Sequence, residues 1–162
     1  MIEANKKYMK ERIYILGGYQ SDFAQNWRRN ELDLLDVFED TIAKGLSSVD
    51  LEPKDIEVAH VGNFTAELFC NQGHLGGFFV SSHPDFFGLP SSRHEAACAS
   101  GSIATLAACA EIESGRYELA AVLGIEQMRN VPGEQAAQYI GGPAMRSGFE
   151  CKDVQYPWPH MF

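Results

Sequence analysis

The chain has 162 residues, 45% of them hydrophobic, and a formal net charge of −9 from 13 Lys and Arg against 22 Asp and Glu. That length suits one domain with a real core. No basic run exists, so nucleic acid is excluded as an expected partner.

Residues 1–11 read as a polar lead-in without the apolar stretch of a secretion signal. Ile13-Tyr14-Ile15-Leu16, ending at Gly17-Gly18, reads as a buried strand. The glycine pair is not a dinucleotide fingerprint, because no G-x-G-x-x-G follows. Asn30 is placed to cap a helix, with Asp33 three positions beyond it. Leu32, Leu35, Phe38, Ile42 and Leu46 recur at helical spacing. Glu31, Asp33, Asp36, Glu39 and Asp40 crowd the other positions and read as a solvated face rather than a carboxylate site. Pro53-Lys54-Asp55 is a turn, and residues 56–64, carrying Ile56, Val58 and Val61, read as a second strand. A weaker helical segment runs from Thr65 toward Val80. Its glycine-rich centre, around His74, lacks the Gly-Lys-Ser/Thr of a phosphate loop, and His74 reads as structural.

Ser82-His83-Pro84 stops that segment, and Phe86-Phe87-Gly88-Leu89-Pro90 is a connector. Residues 91–97 read as extended. Residues 98–114 are dominated by alanine and read as a helix, with Gly115 where a C-cap glycine belongs. This alanine-rich part of the chain is too short to span a membrane, which takes about 18 apolar residues. Leu119-Ala120-Ala121-Val122-Leu123 reads as a fully buried strand closing at Gly124 and Glu126. Beyond Gln127, Pro132, Gly133, Gly141, Gly142, Pro143, Gly148, Pro157 and Pro159 interrupt every regular pattern. Tyr139, Phe149, Tyr156, Trp158 and Phe162 add aromatic bulk there without a period. The expected fold is α/β: four buried strands alternating with helices in a largely parallel or mixed sheet.

The four cysteines are Cys70, Cys98, Cys109 and Cys151. Without a C-x-x-C they suggest neither structural zinc nor a disulfide framework, and they suit a reducing cytoplasm. Cys98 falls at or near the first turn of the alanine-rich helix, where unpaired N–H groups and the positive end of the dipole collect. Such a place favours a thiolate and supplies donors for an oxyanion. Position alone leaves open an inert, buried helix cysteine. His94-Glu95-x-x-Cys98 mimics a metalloprotease motif, but His94 belongs to the preceding strand, so no metal is expected. A papain-like pair would need a histidine across a cleft, and no local signature selects among His60, His74, His83 and His160. No G-x-S-x-G occurs, which disfavours a serine hydrolase.

Ala97-Cys98-Ala99-Ser100-Gly101 resembles the nucleophile motif of the thiolase superfamily. About 25 residues on, Gly124-Ile125-Glu126-Gln127-Met128 resembles the Gly-x-Glu-x-Met that closes the next strand in that family. The resemblance spans residues 13–128. It implies a partial N-terminal half of a thiolase fold over residues 1–128, the start of an inserted loop domain over 129–162, and a dimer. It implies Cys98 as the residue that takes an acyl group from a coenzyme A thioester, which is substrate rather than cofactor. Gly101 would allow substrate or backbone to approach closely, or would serve helix packing. Met128 would line the substrate pocket, or fill core. The family's Gly-His-Pro histidine, second cysteine and Asn-Glu-Ala-Phe motif are absent. The chain therefore reads as an N-terminal fragment or half of a split enzyme, inactive alone. Two other readings stay open: a ketoacyl-synthase-type condensing enzyme, which Glu126-x-Met128 disfavours, and a non-catalytic scaffold or lipid-binding protein. A stand-alone binding domain is a further one. Glu95-Ala96-Ala97-Cys98 is most similar to thiolases that pair with a small zinc-ribbon and OB-fold protein.

Overall fold

The computed structural model describes residues 12–141. Three parallel strands, β1 (Val58–Gly62), β2 (Ser91–His94) and β3 (Ala120–Gly124), form a sheet in the order β2–β1–β3. β1 pairs with β2 from Ala59↔Ser91 to Gly62↔His94 and with β3 from Val58↔Ala120 to Gly62↔Gly124. Parallel neighbours need long crossovers. Here these carry α2 (Ala66–Cys70) and α3 (Phe78–Ser82) after β1, and α4 (Ser100–Glu113) after β2. The chain is mixed α/β, consistent with part of a thiolase-like fold, but the described sheet has three strands where the sequence suggested four.

α1 (Leu34–Ser47) starts three residues later than Asn30 would place it. Asp33 is the N-cap: its Oδ1 accepts from Leu35 N and Asp36 N at 2.8 and 2.9 Å, and Asp36 Oδ2 accepts from Asp33 N at 2.8 Å. Two reciprocal bonds outcompete a single upstream cap. The helix buries Leu34, Val37, Phe38 and Leu46, while Leu32 lies outside it.

Successive side chains of a strand face opposite sides. From β1, Ala59 and Val61 join a cluster with Phe38, Leu75, Phe79 and Phe86, and from β3 come Ala121 and Leu123. On the other side, His60 and Gly62 meet α4, which buries Ala104 and Ala108.

Several elements differ from the sequence expectation. Ile13-Tyr14-Ile15-Leu16 is not a strand: it has no regular structure, and Tyr14, Ile15 and Leu16 are 71%, 89% and 62% exposed. Apolar composition does not supply the neighbouring strand that a β-segment needs, and none of the described strands pairs with it. The segment from Thr65 to Val80 is two short helices, broken where Asn71 and His74 turn left-handed at φ 52° and 54°. β3 is not fully buried; Val122 is 40% exposed, because β3 is a sheet edge and α4 covers it with small side chains. Gly133 and Gly141 bound a helix, α5 (Gly133–Gly141), instead of breaking one. Tyr139 of α5 meets Phe69 of α2 edge to face at 5.2 Å. The remaining breakers and aromatic residues from Gly142 onward, with Cys151 and His160, lie outside the described residues.

Candidate functional site

In parallel sheets, sites form beyond the carboxyl ends of the strands. Here the ends of β1 and β3, the start of α4 and the segment 19–28 enclose a cavity of about 650 Å³. Cys98, Gly101 and Met128 all line it, as do Asn63 and Glu126.

Cys98 sits slightly before α4 proper, in a 3-10 turn (Ala97–Ala99) that leads into the helix. It is exposed, not the buried helix residue that position alone left open. The turn before it is sharp. Ala97 has φ +48°, a left-handed conformation that costs an alanine about 1 kcal/mol. Three hydrogen bonds hold it. Glu95 Oε1 accepts from Ala97 N at 2.7 Å, Ser100 Oγ accepts from Ala96 N at 2.9 Å, and Ser100 Oγ donates to Ala97 O at 2.7 Å. Strain maintained by surrounding bonds is a feature of working sites.

α4 reaches this position because two glycines let backbones touch. A Cβ on Gly62 would stand 2.7 Å from the Cα and N of Gly101. A Cβ on Gly101 would meet nothing within 4 Å. The close approach therefore depends on Gly62, which the sequence reading did not single out, while Gly101 leaves open space beside Cys98.

Glu126 shows why a carboxylate stands in the Gly-x-Glu-x-Met run. It accepts from Phe64 N at 2.7 Å and Thr65 N at 3.4 Å, tying the loop after β1 to the end of β3. Asn63 reinforces the tie, donating to Ile125 O at 2.8 Å and accepting from Ala66 N at 3.2 Å. From β2, Arg93 donates to Phe64 O at 2.7 Å and pairs with Glu67. Burial pushes the Glu126 carboxyl up, against the lowering effect of its hydrogen bonds and of Arg93. Nearby, burial and Glu126 push the Cys70 thiol up to about 11. The hydrogen bond from Arg93 holds the Glu67 carboxyl below its usual range.

No histidine among the described residues lines the cavity. His60 and His94 instead meet each other under α4, with His60 Nδ1 2.9 Å from His94 Nε2. Ser92 Oγ lies 3.2 and 2.9 Å from those two nitrogens, and Glu111 Oε2 is 3.3 Å from His60 Nε2. Burial lowers the His60 pKa, the Glu111 carboxylate raises it and His94 lowers it. His74 packs its ring where a Cβ of Gly77 would be, and His83 Nδ1 accepts from Asp85 N at 3.2 Å. Among the described residues no group of three or more His, Cys, Asp or Glu could hold a metal ion. No described helix is long and apolar enough to cross a membrane. Cys70, Cys98 and Cys109 are free thiols.

No protein-family model matches the chain. Over 119 residues, 74% of its length, it is 34% identical to an acetyl-CoA acetyltransferase of Methanocaldococcus jannaschii, covering 29% of that protein. Over 119 residues it is also 28% identical to an acetyl-CoA acetyltransferase of Methanothermobacter thermautotrophicus, covering 30% of it. The chain thus spans under a third of the length of the curated relatives it matches.

Proposed function

The chain is related to the thiolase superfamily through its N-terminal portion, and on that premise we propose that it carries the nucleophile for acyl transfer between coenzyme A thioesters. The observation that carries this reading is the exposed Cys98, held on a strained turn at the head of α4 and facing a cavity shared with Gly101 and Met128.

Cys98 Sγ bonds to the carbonyl carbon of an acyl-CoA, the bond from that carbon to the coenzyme A sulfur breaks, and the thiol proton leaves with coenzyme A. The N–H of Cys98, at the head of the turn leading into α4, would steady the oxyanion. Gly101 keeps the approach open, and Met128 contributes apolar wall. The acyl carbon then bonds to Cα of a second acyl-CoA, the bond from that carbon to Cys98 Sγ breaks, and the proton lost from Cα ends on the Cys98 thiol, giving a 3-oxoacyl-CoA; the reverse path cleaves one.

On this reading the chain alone acylates without turning over, because its sequence carries neither the family's Gly-His-Pro histidine nor its second cysteine motif, and members of a catalytic unit act together. The remainder of the reading is a domain boundary near residue 128, with residues 129–162 opening the loop that holds coenzyme A. It also includes a dimer or higher oligomer in a reducing cytoplasm, with a small zinc-ribbon and OB-fold protein as the partner class. Supporting association, Ile103 and Leu106 on α4 are 40% and 63% exposed.

The test is to incubate the chain with isotopically labelled acetyl-CoA and locate the acetyl group by peptide mass spectrometry. Label at Cys98, absent in Cys98→Ala, is expected, without thiolysis of acetoacetyl-CoA by this chain alone. Equal label at Cys70 or Cys109 would sink the assignment. An unlabelled Cys98 would favour the scaffold reading.

A further inference from the structure

One wall of the cavity is the segment 19–28, which belongs to no helix or strand. Its backbone is held from across the cavity by the residues directly after Met128. Arg129 Nη1 donates to Phe23 O at 3.1 Å and to Ala24 O at 3.2 Å. In return, Arg28 donates to Asn130 O, and Asn26 Nδ2 donates to Arg129 O at 3.4 Å. The receiving end is itself anchored: Asn130 Nδ2 donates to Phe69 O at 2.6 Å. The strap is also rooted at one end, where Trp27 packs against the core. Most of the rest is exposed, with Phe23 78% accessible.

We propose that Arg129 and Arg28 are positioning residues that strap the segment 19–28 over the cavity, and so set how bulky a molecule can reach Cys98. This rests on the reading of Cys98 as the reactive thiol, but the strap itself does not.

The physical basis is the kind of bond involved. A guanidinium offers five donors in a fixed fork, so one side chain can hold two successive carbonyls of a segment that has no ladder of its own. Each bond is solvent-exposed and modest alone. Several acting on one short segment, next to a half-buried tryptophan, keep it closed most of the time while leaving it free to open. A slender acyl thioester then enters along the closed strap, and a wide one waits for opening. The thiol itself is untouched by the strap, so access changes without a change in chemistry.

The experiment compares the full chain with Arg129→Ala and Arg129→Lys. Each is labelled with iodoacetamide, which is small, and with fluorescein maleimide, which is bulky; rates at each cysteine are read by peptide mass spectrometry. In Arg129→Ala the maleimide rate at Cys98 should rise about tenfold relative to the iodoacetamide rate, since two bonds are lost. Arg129→Lys, which keeps one donor group, should recover part of the difference. Trypsin cleavage after Arg28 and Arg29 should accelerate in the alanine variant in step with the ratio.

An unchanged ratio with unchanged cleavage overturns the strap. A parallel rise at Cys70, Cys98 and Cys109 also overturns it, because Arg129 would then hold the whole domain. If Cys98 stays silent to both reagents while cleavage still responds to Arg129, the strap stands and the nucleophile reading fails.

Discussion

The two faces of the sheet are built on opposite principles. On the face covered by α1 and α3, Phe38, Phe79 and Phe86 are at most 1% exposed. Phe38 and Phe79 meet edge to face at 4.9 Å, and Phe79 and Phe86 at 5.5 Å. On the face covered by α4, contact is made by Gly62, Gly101, Ala104 and Ala108. Large rings fill space and are forgiving about backbone position. Small residues bring backbones together and fix position instead. The candidate nucleophile is mounted on the second face, where location matters more than bulk.

That contrast can be broken most forcefully on the aromatic face. Phe79→Ala should cost about 4 kcal/mol, measured by urea denaturation, since its ring touches two others at zero exposure. A loss below about 1 kcal/mol would mean that the aromatic cluster can be dispensed with.

Next comes the backbone contact. Gly62→Ala should cost about 3 kcal/mol, because its Cβ would stand 2.7 Å from backbone atoms of Gly101, which cannot swing aside. Iodoacetamide labelling of Cys98 should change with it, as the head of α4 is displaced. A tolerated alanine with unaltered labelling would show that α4 is not located by this contact.

A smaller effect of opposite sign is expected at the partner glycine. Gly101→Ala meets no atom within 4 Å and lies in a helix, so it should stabilise the chain by up to about 1 kcal/mol. Yet it adds a methyl group beside Cys98, and acetylation from acetyl-CoA should slow. Stability and acylation falling together would assign Gly101 to packing.

The smallest effect is confined to a labelling rate. Cys70 is half-buried against the hydrophobic core and its thiol is pushed up to about 11. A raised thiol pKa means a smaller thiolate fraction at neutral pH, so Cys70 labelling should climb about tenfold per pH unit from 7 through 10. A plateau near pH 9 would contradict its burial. Cys98, which is exposed, is expected to label first at every pH below that range.

How much of this was readable in the sequence follows the same division. The aromatic face announces itself through periodicity, and the helix carrying Phe38 was placed nearly correctly. Its start was missed because Asn30 and Asp33 are both competent caps, and only the reciprocal bond of Asp36 decides between them. α5 was missed because Pro132 and Gly133 look like breakers when they stand at a boundary. Cys98, Gly101 and Met128, singled out from their local runs, lie together on the wall of one cavity. Gly62, the Glu126 tie to Phe64 and Thr65, and the bonds of Arg129 to Phe23 and Ala24 were not singled out. Each joins residues far apart in the chain, and no spacing rule reaches across such distances. The meeting of His60 and His94 depends likewise on the register that sets His60 opposite Ser92.

The strand order has a consequence for synthesis. β1 is central, yet it is made before both of its neighbours: Ala59 must wait for Ser91 on one side and for Ala121 on the other. At translation rates of roughly 5–20 residues per second, its second edge stays unpaired for several seconds after the strand has been made. During that interval the apolar run of β1 is open to other chains. Growth conditions that slow elongation between Pro90 and Gly124 should therefore raise the insoluble fraction more than equal slowing before residue 58.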